Sequence, residues 1–415
     1  MVSIEVRCRT IRTIWSPLGS GCPTNTCLRI DRVDSSSTSA DCQIWTINGR
    51  FAGQRMTGVQ RYAHEIVNAL DRILAEQPDL AARIKFELLV PPGAQHVPTA
   101  LSRIRIRNSS FGSGHFWDQV VLRRNRQAGV LSLGNSGPVA IGNHILCIHD
   151  ANTFITPDSY SMAFRLGYKT LLPLVARTAR RVATVSAFSA KMLAAYGIAQ
   201  PDKTFIAPNG HEHALRWNAN AADPTLFVKL ARPFVILLGS KARHKNTQIV
   251  LGQAAALDRA GIDIAVVGSA AGIFSRQEQL VDRPNVHQLG YVTDDDLAAL
   301  YARAVCLAFP SITEGFGIPL LEAMALGCPV VSSTAASLQE VGGDAAVYVG
   351  PDDGARWAEA IIGMAGNSDL RVELTAKGRR QARLFSWNKS AEIYLGEILK
   401  VSGFPIAPGH SPPSI

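Results

Sequence analysis

The sequence predicts an α/β protein made of two doubly wound, Rossmann-like domains that face a central cleft. The chain has 415 residues, enough for two or three domains of ordinary size. Hydrophobic residues make up 47% of it and charged residues 18%, which is typical of globular proteins and excludes a disordered or collagen-like chain. From residue 43 onward, short apolar segments alternate with amphipathic ones. This alternation is typical of a parallel sheet covered by helices on both faces.

The first domain is predicted over residues 43–213. Its first strand, at 44–47, leads through a loop from Gly49 to Gly58 into a helix with apolar residues at helical spacing. Further strands are predicted at 86–90, 104–106, 130–133, 145–148, 182–185 and 204–207. Helices separate several of these strands, as the crossovers of a parallel sheet require.

An Ala-, Asn- and Pro-rich stretch at 215–223 is predicted to link this domain to a second one at 224–386. Strands of the second domain are predicted at 234–238, 264–267, 286–289, 305–309, 330–332 and 347–349. Its helices are predicted at 246–260, 294–303, 318–326, 354–365 and 369–384. A last helix, 387–402, is expected to cross back to the first domain. The cleft between two such domains is the usual place for a ligand.

The two ends of the chain differ in composition from the rest. Residues 1–42 are expected to be a flexible leader and residues 403–415 a flexible tail. The leader lacks the apolar core of a signal peptide, and no run in the chain reaches the ~18 apolar residues of a membrane span. Its four cysteines lack the spacing of a zinc knuckle, so free thiols are favoured over a metal site. They are Cys8, Cys22, Cys27 and Cys42. Cys147, Cys306 and Cys328 lie in or beside apolar segments and are expected to be buried.

A strand, turn and helix around two glutamates carry the strongest chemical signal. The turn holds Gly315 and Gly317, which allow close backbone approach to a ligand, and the free N–H groups of the following helix suit an anion. Glu314 lies in the turn, and Glu322 lies about one helical turn further on among apolar neighbours. The two acids could simply complement the helix dipole, but this suits Glu322 poorly. A buried carboxylate needs a partner, and vicinal hydroxyls would serve.

Here the sequence resembles the retaining GT-B glycosyltransferases, in particular the mannosyltransferase-like group 1 enzymes of family 4, over roughly residues 43–400. Glu314 and Glu322, with seven residues between them, match the paired-glutamate motif of that family. The resemblance implies that Glu314 holds hydroxyls of a donor sugar near the reacting carbon and that Glu322 binds the nucleotide ribose. It also implies that the turn and helix start bind the donor through Gly315, Phe316, Gly317 and Ile318.

A basic loop follows the first strand of the second domain. Basic side chains beside free helix N–H groups can form a diphosphate site, although a solvated loop is the alternative. In the family, the lysine of the matching Lys-Asn step neutralises the leaving phosphate, which implies this role for Lys245. Many relatives have an arginine five positions earlier, where this chain has Ser240. Arg243 and Lys241 are the candidates to replace it.

Four positions in the first domain complete the resemblance. Gly58, in a Thr-Gly step, permits close backbone approach to the phosphates or the sugar. His149 belongs to a His-Asp step at the end of a strand, and in relatives this histidine lies close to the donor sugar. Ser186 and Asn209 fall where the family has loops that face the cleft. An isolated histidine is more often structural, so its placement at a strand end is what favours a functional role.

Two acidic clusters resemble metal sites but have another explanation. Asp294, Asp295 and Asp296 follow Thr293 and precede an apolar helical pattern, which is typical of a capped helix start. Asp352 and Asp353 introduce a helix in the same way. The resemblance implies an enzyme that needs neither a metal nor another cofactor.

The net charge of +9 is confined to one part of the chain, because residues 43–213 hold 19 basic and 10 acidic residues. This asymmetry predicts an anionic partner for the first domain. Arg103, Arg105 and Arg107 alternate with isoleucines, so they are expected to share one face of a strand. Two further sets are assigned to helices, where dipole-stabilised solvated ends are the alternative. They are Arg123, Arg124 and Arg126, and Arg177, Arg180 and Arg181.

No nucleic-acid-binding motif accompanies this charge, so no nucleic acid partner is expected. An anionic membrane surface carrying a lipid-linked acceptor is favoured instead. The expected location is the cytoplasm, with peripheral attachment to the inner face of the plasma membrane.

Together these features predict a retaining transfer of a hexosyl group from a nucleotide-diphosphate sugar to a growing glycan. GDP-mannose is the first choice of donor, and a GDP- or dTDP-deoxyhexose or UDP-glucose is the alternative. Glu314, Lys245 and His149 are the expected catalytic residues. A non-catalytic nucleotide-sugar-binding subunit is a second hypothesis, although such a subunit should have lost Glu314 or Lys245. A UDP-sugar epimerase of the same architecture is a third, which the paired glutamates disfavour.

Overall fold

The computed structural model describes residues 42–240, 242–268 and 283–404. In this part of the chain the strands are β1 Gln43–Asn48, β2 Ile84–Val90, β3 Arg105–Asn108, β4 Gly129–Ser132, β5 His144–Cys147, β6 Arg181–Thr184, β7 Thr204–Ile206, β8 Phe234–Gly239, β9 Asp263–Gly268, β10 Val286–Gly290, β11 Cys306–Phe309, β12 Val330–Ser333 and β13 Val347–Val349.

The helices of the described residues are α1 Gly58–Glu76, α2 Pro78–Arg83, α3 Gly114–Phe116, α4 Arg123–Asn125, α5 Asn152–Ile155, α6 Met162–Thr178, α7 Ala187–Ala195, α8 Gln248–Leu251, α9 Ala254–Arg259, α10 Asp294–Arg303, α11 Ile318–Leu326, α12 Leu338–Gly342, α13 Gly354–Gly366, α14 Ser368–Ala382 and α15 Trp387–Val401. A π-helical segment, Trp117–Leu122, joins α3 to α4.

The strands form two fully parallel sheets. The first has the order β3-β2-β1-β4-β5-β6-β7, and the second has the order β10-β9-β8-β11-β12-β13. In each sheet the strand order reverses at one point, between β1 and β4 and between β8 and β11, and such a switch point leaves a crevice at the carboxyl ends of the strands. The predicted α/β class with two Rossmann-like sheets is confirmed. Every predicted strand is present, with its ends shifted by two residues or fewer.

The buried strands explain why the sheets form. Strand β4 is buried at each of its four residues and so is β11, as expected for strands covered on both faces. Helix α1 presents an apolar stripe that includes Tyr62, Ile66 and Leu70, all fully buried in the same core as β1 and β2. Packing of this stripe orients the start of α1, which carries Gly58, toward the carboxyl end of β1.

The C-terminal helix α15 packs against α1. The hydroxyl of Tyr62 donates a hydrogen bond to the carbonyl of Ala207 and lies 3.0 Å from that of Tyr394 in α15. The indole N–H of Trp45 in β1 donates to Ser402 just beyond α15. These contacts fix the end of the described chain to the first sheet.

One helix prediction needs correction, and one short helix has no counterpart among the predictions. The helix predicted at 246–260 is two helices, α8 and α9, interrupted at Gly252 and Gln253. Glycine is a poor helix former and the break follows it. The short helix α12 was not predicted, because five residues give too little periodicity to recognise.

Predictions about the basic clusters also need correction. Arg103 precedes β3, and its backbone N–H donates to Asp71, so it does not share the strand face with Arg105 and Arg107. Arg126 lies after the end of α4. Arg181 does not end a helix: it is the first residue of β6 and pairs with Glu397 at 2.6 Å.

Of the seven cysteines, four lie among the described residues. Cys147, Cys306 and Cys328 are buried, as predicted, and burial raises the pKa of Cys147 to about 12. Cys42 is exposed, while the prediction about Cys8, Cys22 and Cys27 falls outside the described residues. In the part of the chain that the structure covers, no helix combines the length and the apolar character that a membrane span requires.

Candidate functional site

A cavity of about 330 Å³ lies where the carboxyl ends of the two sheets meet. Loops after β1, β5, β6 and β7 supply its lining from the first sheet, and loops after β8 and β11 supply it from the second. The lining includes Gly58, His149, Asp150, Asn209, Lys245, Glu314, Gly315, Phe316, Gly317, Ile318 and Glu322. All three predicted catalytic residues and most of the predicted donor-binding residues are therefore brought together.

Lys245 and Glu314 form the charged centre of this cavity. The ammonium Nζ of Lys245 lies 2.7 Å from Oε1 of Glu314, and both side chains are largely shielded from solvent. Lys245 ends a short 3₁₀ turn after β8, and Glu314 follows β11, the neighbouring strand in the sheet. A cation and a carboxylate placed side by side can bind a phosphate and a hydroxyl, respectively, of one ligand.

His149 lies in the cavity wall as a neutral imidazole. Its ring Nε2 is 3.0 Å from the carbonyl of Leu133, and because a carbonyl only accepts, Nε2 carries the proton. Burial lowers the pKa of His149 to about 4, so the ring is uncharged at neutral pH. The tautomer leaves Nδ1 as an acceptor. The ring also packs edge-on against Tyr62, which fixes its plane.

Asp150, next to His149, is a cavity residue that the sequence predictions did not select. Its pKa is raised to about 6, mainly by burial and also by the charge of Glu314, while the N–H of Asn152 and the charge of Lys245 act in the opposite direction. The Asn152 N–H donates to Oδ1 at 2.8 Å. A carboxyl group with this pKa can hold or release a proton near neutral pH. Its position directly after a strand-end histidine was the available signal.

The turn at Gly315 and Gly317 approaches the first sheet closely. A Cβ at Gly315 would lie 2.5 Å from the carbonyl oxygen of His149, so any side chain there would push the two halves apart. Gly317 has a φ of 98°, in the left-handed region that favours glycine, and it is the residue just before α11. Both glycines are therefore required by the geometry.

Two serines at the start of α7 hold that turn in place. The hydroxyl of Ser186 donates to the carbonyl of Gly315 at 2.6 Å, and the hydroxyl of Ser189 lies 3.0 Å from the same oxygen. The carboxylate of Glu340 accepts from the first two N–H groups of α7, at 2.7 and 3.1 Å. Ser186 thus holds the Gly315 turn by a hydrogen bond and does not itself line the cavity, in contrast to its predicted place.

Glu322 is held by a chain of hydrogen bonds. The indole N–H of Trp387 donates to Nδ1 of His213, at 3.1 Å, so the His213 proton is on Nε2, which donates to Oε1 of Glu322 at 2.9 Å. Arg61 approaches the same oxygen at 3.9 Å. Among the described residues, Oε2 of Glu322 has no hydrogen-bond partner. The buried carboxylate is thus satisfied on one side, and its other oxygen can accept from a ligand.

Asn209 offers a further polar group. The residue is 1% exposed and lines the cavity, and its Oδ1 has no hydrogen-bond partner within the described part of the chain. A buried amide oxygen without a partner costs free energy, roughly 1–3 kcal/mol, unless a ligand or water satisfies it. This is independent support for the predicted donor-binding role.

The remaining predicted positions lie elsewhere. Arg243 is exposed and does not line the cavity, and Lys241, the other candidate for the second cation, falls outside the described residues. Arg61 supplies a cation in the lining, although its guanidinium also pairs with Asp294 at 2.7 Å. The sequence pattern did not indicate Arg61, because it lies on α1 in the first domain, far along the chain from the basic loop after β8.

The acidic clusters have the predicted structural role. Thr293 caps α10 through its hydroxyl, which accepts from the N–H of Asp296, and the Asp296 carboxylate accepts in return from Thr293. Asp295 accepts from the N–H of Asn218. Asp353 likewise caps α13. Asp295, Asp296 and Asp353 thus each have a structural partner.

The arginines predicted for the acceptor or membrane side lie away from this cavity. Arg107 lies 3.3 Å and Arg105 4.0 Å from the carboxylate of Glu87 on β2, and Arg107 also donates to Asn125. The carboxylate relieves the like-charge repulsion that the sequence pattern suggested.

Comparison with known proteins adds three findings. The sequence model described as "Glycosyl transferases group 1" matches residues 232–367. O-antigen chain mannosyltransferase B of Escherichia coli is 44% identical over 26% of this chain, and the match covers 30% of that relative. O-antigen chain mannosyltransferase RfbU of Salmonella typhimurium is 26% identical over 74% of this chain and 87% of the relative.

Among solved structures, sucrose-phosphate synthase from Thermosynechococcus elongatus superposes with a TM-score of 0.64. The superposition covers 86% of this chain and 98% of that one, at 19% identity. At this identity the likeness concerns the fold, in which two Rossmann-like domains enclose a cleft. The E. coli relative, in contrast, matches over less than a third of its own length.

Proposed function

We propose that this chain, which has the GT-B fold and matches the group 1 glycosyltransferase model over residues 232–367, transfers a mannosyl group from GDP-mannose, with retention, to a growing surface glycan. The observation that carries the proposal is the cavity in which Lys245 and Glu314, 2.7 Å apart, face residues of the first sheet. The names of the two O-antigen mannosyltransferases favour mannose and an O-antigen type of glycan.

The leaving diphosphate would lie against Lys245 and the start of α11. Lys245 supplies a positive charge, and the N–H of Ile318, the first residue of α11, has no partner within its own helix, whereas Pro319 has no N–H and Leu320 donates to Gly317. Together they would stabilise the charge that develops as the bond to the sugar breaks. We propose that these groups, rather than a metal ion, neutralise the leaving group, so that transfer continues in the presence of EDTA.

The sugar would lie between Glu314 and His149. Glu314 accepts from sugar hydroxyls, and Nδ1 of the neutral His149 accepts from another, so the two side chains orient the anomeric carbon. In the proposed front-face reaction the C1–O bond to the diphosphate breaks and a C1–O bond to the acceptor forms on the same face. The proton of the acceptor hydroxyl passes to the leaving phosphate. Positioning of this kind accounts for much of the rate of a two-substrate reaction.

The nucleoside would extend toward α11. Oε2 of Glu322 would accept from a ribose hydroxyl, while His213 and Trp387 hold the carboxylate in orientation. The amide of Asn209, with its unpartnered Oδ1, would complete the polar wall. A lipid-linked glycan is the proposed acceptor, and the inner face of the plasma membrane is the proposed place of reaction.

The test is a screen of GDP-, UDP- and dTDP-sugars for binding and for transfer to a mannoside acceptor. We expect GDP-mannose to be used, with a loss of transfer of about a hundredfold or more in Glu314→Gln and Lys245→Met. Glu359→Gln, which removes an exposed carboxylate on α13, is the matched control. Use of a deoxyhexose donor or of UDP-glucose instead would overturn the choice of donor. Normal turnover in both site variants would overturn the mechanism, and no nucleotide-sugar binding would overturn the function.

A further inference from the structure

Helix α6 exposes apolar side chains that a globular protein normally buries. Met162 is 79% exposed, Leu166 69% and Phe164 48%. The helix packs on the first sheet from Tyr168 onward, and Leu172 and Val175 are buried there. Met162, Phe164 and Leu166 precede this point and form an exposed apolar surface at the start of the helix. Large exposed apolar patches mark interaction sites.

A second exposed apolar group lies on the same side of the sheet. Phe111 and Phe116, which flank the start of α3, are 51% and 53% exposed, with ring centroids 6.4 Å apart. The segment that follows them buries Trp117 against Val130 of β4, whereas α6 packs against Leu146 of β5.

The register of these two strands shows that both segments cover one face. Ser132 of β4 is beside Leu146 of β5, and Val130, two residues before Ser132, has its side chain on the same face. We call this layer, made of residues 111–126 and 162–178, the outer layer.

The outer layer is also basic. It carries three arginines at the end of the π-helical segment and three cations along α6. These are Arg123, Arg124, Arg126, Arg165, Lys169 and Arg177. The first three line a shallow cavity of about 600 Å³ with Gln119, Val120 and Gln127. Asp118, within the layer, is buried and paired with Arg50 at 2.5 Å, so it subtracts little from the surface potential.

The outer layer adjoins the cavity of the site. Tyr160, just before α6, stacks on Phe164 at 5.5 Å, and Phe164 stacks on Tyr168 at 5.0 Å. On its other side Tyr160 stacks at 6.5 Å on His244, the residue before Lys245. One row of aromatic rings therefore connects the apolar start of α6 to the diphosphate end of the cavity.

We propose that the outer layer docks on an anionic phospholipid bilayer, with the start of α6 and the Phe111–Phe116 pair entering the interface and the arginines binding lipid phosphates. Exposed apolar side chains framed by cations are the combination that interfacial attachment requires. The charge complementarity favours a bilayer over a second, equally basic copy of this chain, which the outer layer would repel. This inference rests on the proposed lipid-linked acceptor, because docking here places the cavity beside the membrane.

The experiment measures binding of the full chain to vesicles of phosphatidylcholine alone and of phosphatidylcholine with phosphatidylglycerol. We expect binding to the anionic vesicles only, and weaker binding as salt rises. The double variant Met162→Ser/Leu166→Ser should weaken it at least about tenfold, because two apolar side chains no longer enter the interface. Leu384→Ser, at a leucine that is 62% exposed near the end of α14, is the matched control and should bind normally.

Three results would overturn the docking surface. They are unchanged binding of the double variant, an equal loss in Leu384→Ser, and equal binding of wild type to both kinds of vesicle. A dimer that the double variant dissociates, with vesicle binding unchanged, would assign the outer layer to self-association instead. Transfer to a soluble mannoside separates this test from the function, since the double variant should keep that activity whether or not the membrane proposal holds.

Discussion

The raised pKa of Asp150 predicts that this residue destabilises the folded protein at neutral pH. In the unfolded chain the carboxyl group of Asp150 loses its proton near pH 3.8. In the folded protein burial keeps that proton bound up to about pH 6. Between these values the folded state binds more protons than the unfolded state, so stability falls as pH rises. Above about pH 6 the carboxyl group is ionised in both states, and the loss of stability is complete.

The change that tests this is Asp150→Asn, which removes the ionisation and keeps an oxygen to accept from the N–H of Asn152. A shift of about two pKa units corresponds to roughly 3 kcal/mol. Asp150 is partly exposed to the cavity, and solvent screening reduces that figure. We therefore expect the variant to be more stable than wild type by about 1–3 kcal/mol at pH 7.5 and equally stable near pH 4.

The assay is urea unfolding of both proteins across pH 4–8. Other groups with shifted pKa values, such as the buried His144 and His64, contribute the same slope to both proteins and cancel in the difference. Asp158→Asn, at an exposed carboxylate nearby, is the control and should leave stability within about 0.5 kcal/mol. The reasoning is refuted if Asp150→Asn shows no gain at pH 7.5, or a gain that persists undiminished at pH 4.

Three further predictions concern a glycine of the site and the starts of helices α10 and α7. Gly315→Ala should lower the free energy of unfolding by about 1–3 kcal/mol and weaken donor binding, because the new Cβ would meet the carbonyl of His149. Unfolding experiments and donor titrations check this. Gly363→Ala, where a Cβ on α13 would meet open space, is the control and should be neutral or stabilising. Thr293→Val should cost about 1 kcal/mol by removing the α10 cap, measured by thermal unfolding, and a change below a few tenths would contradict the capping role. Glu340→Ala should speed hydrogen exchange at the first two amides of α7, and unaltered exchange there would show that its carboxylate does not protect them.

Several features of the site could be predicted because they are local in sequence. The strand ends and the turn around Gly315 follow from short patterns of apolar and small residues, and parallel sheets place strand-end residues on one edge. Glu314, Lys245 and His149 each lie in the loop that follows a strand, so the fold class was enough to bring them together. The capped start of α10 was predictable for the same reason, since all its hydrogen bonds lie within four residues.

Contacts between distant segments were not predictable in this way. Glu322 is oriented by His213, 109 positions earlier, and His213 is in turn oriented by Trp387. No periodicity couples such positions, and a histidine before the linker resembles any other polar residue. The raised pKa of Asp150 likewise depends on burial and on Glu314, both set by the way the two sheets approach each other.

The basic residues of the first domain show what the sequence alone can and cannot determine. Composition determined that the surplus charge lies in residues 43–213, because charge can be counted along a chain. It could not determine which cations share a surface: Arg103 leaves the expected strand face, whereas segments 111–126 and 162–178 combine on one face of the sheet. Local pattern thus determined the two sheets and the residues at their edges. Only the tertiary structure decided which buried groups are paired and which apolar side chains remain exposed, because both depend on packing between segments far apart in the chain.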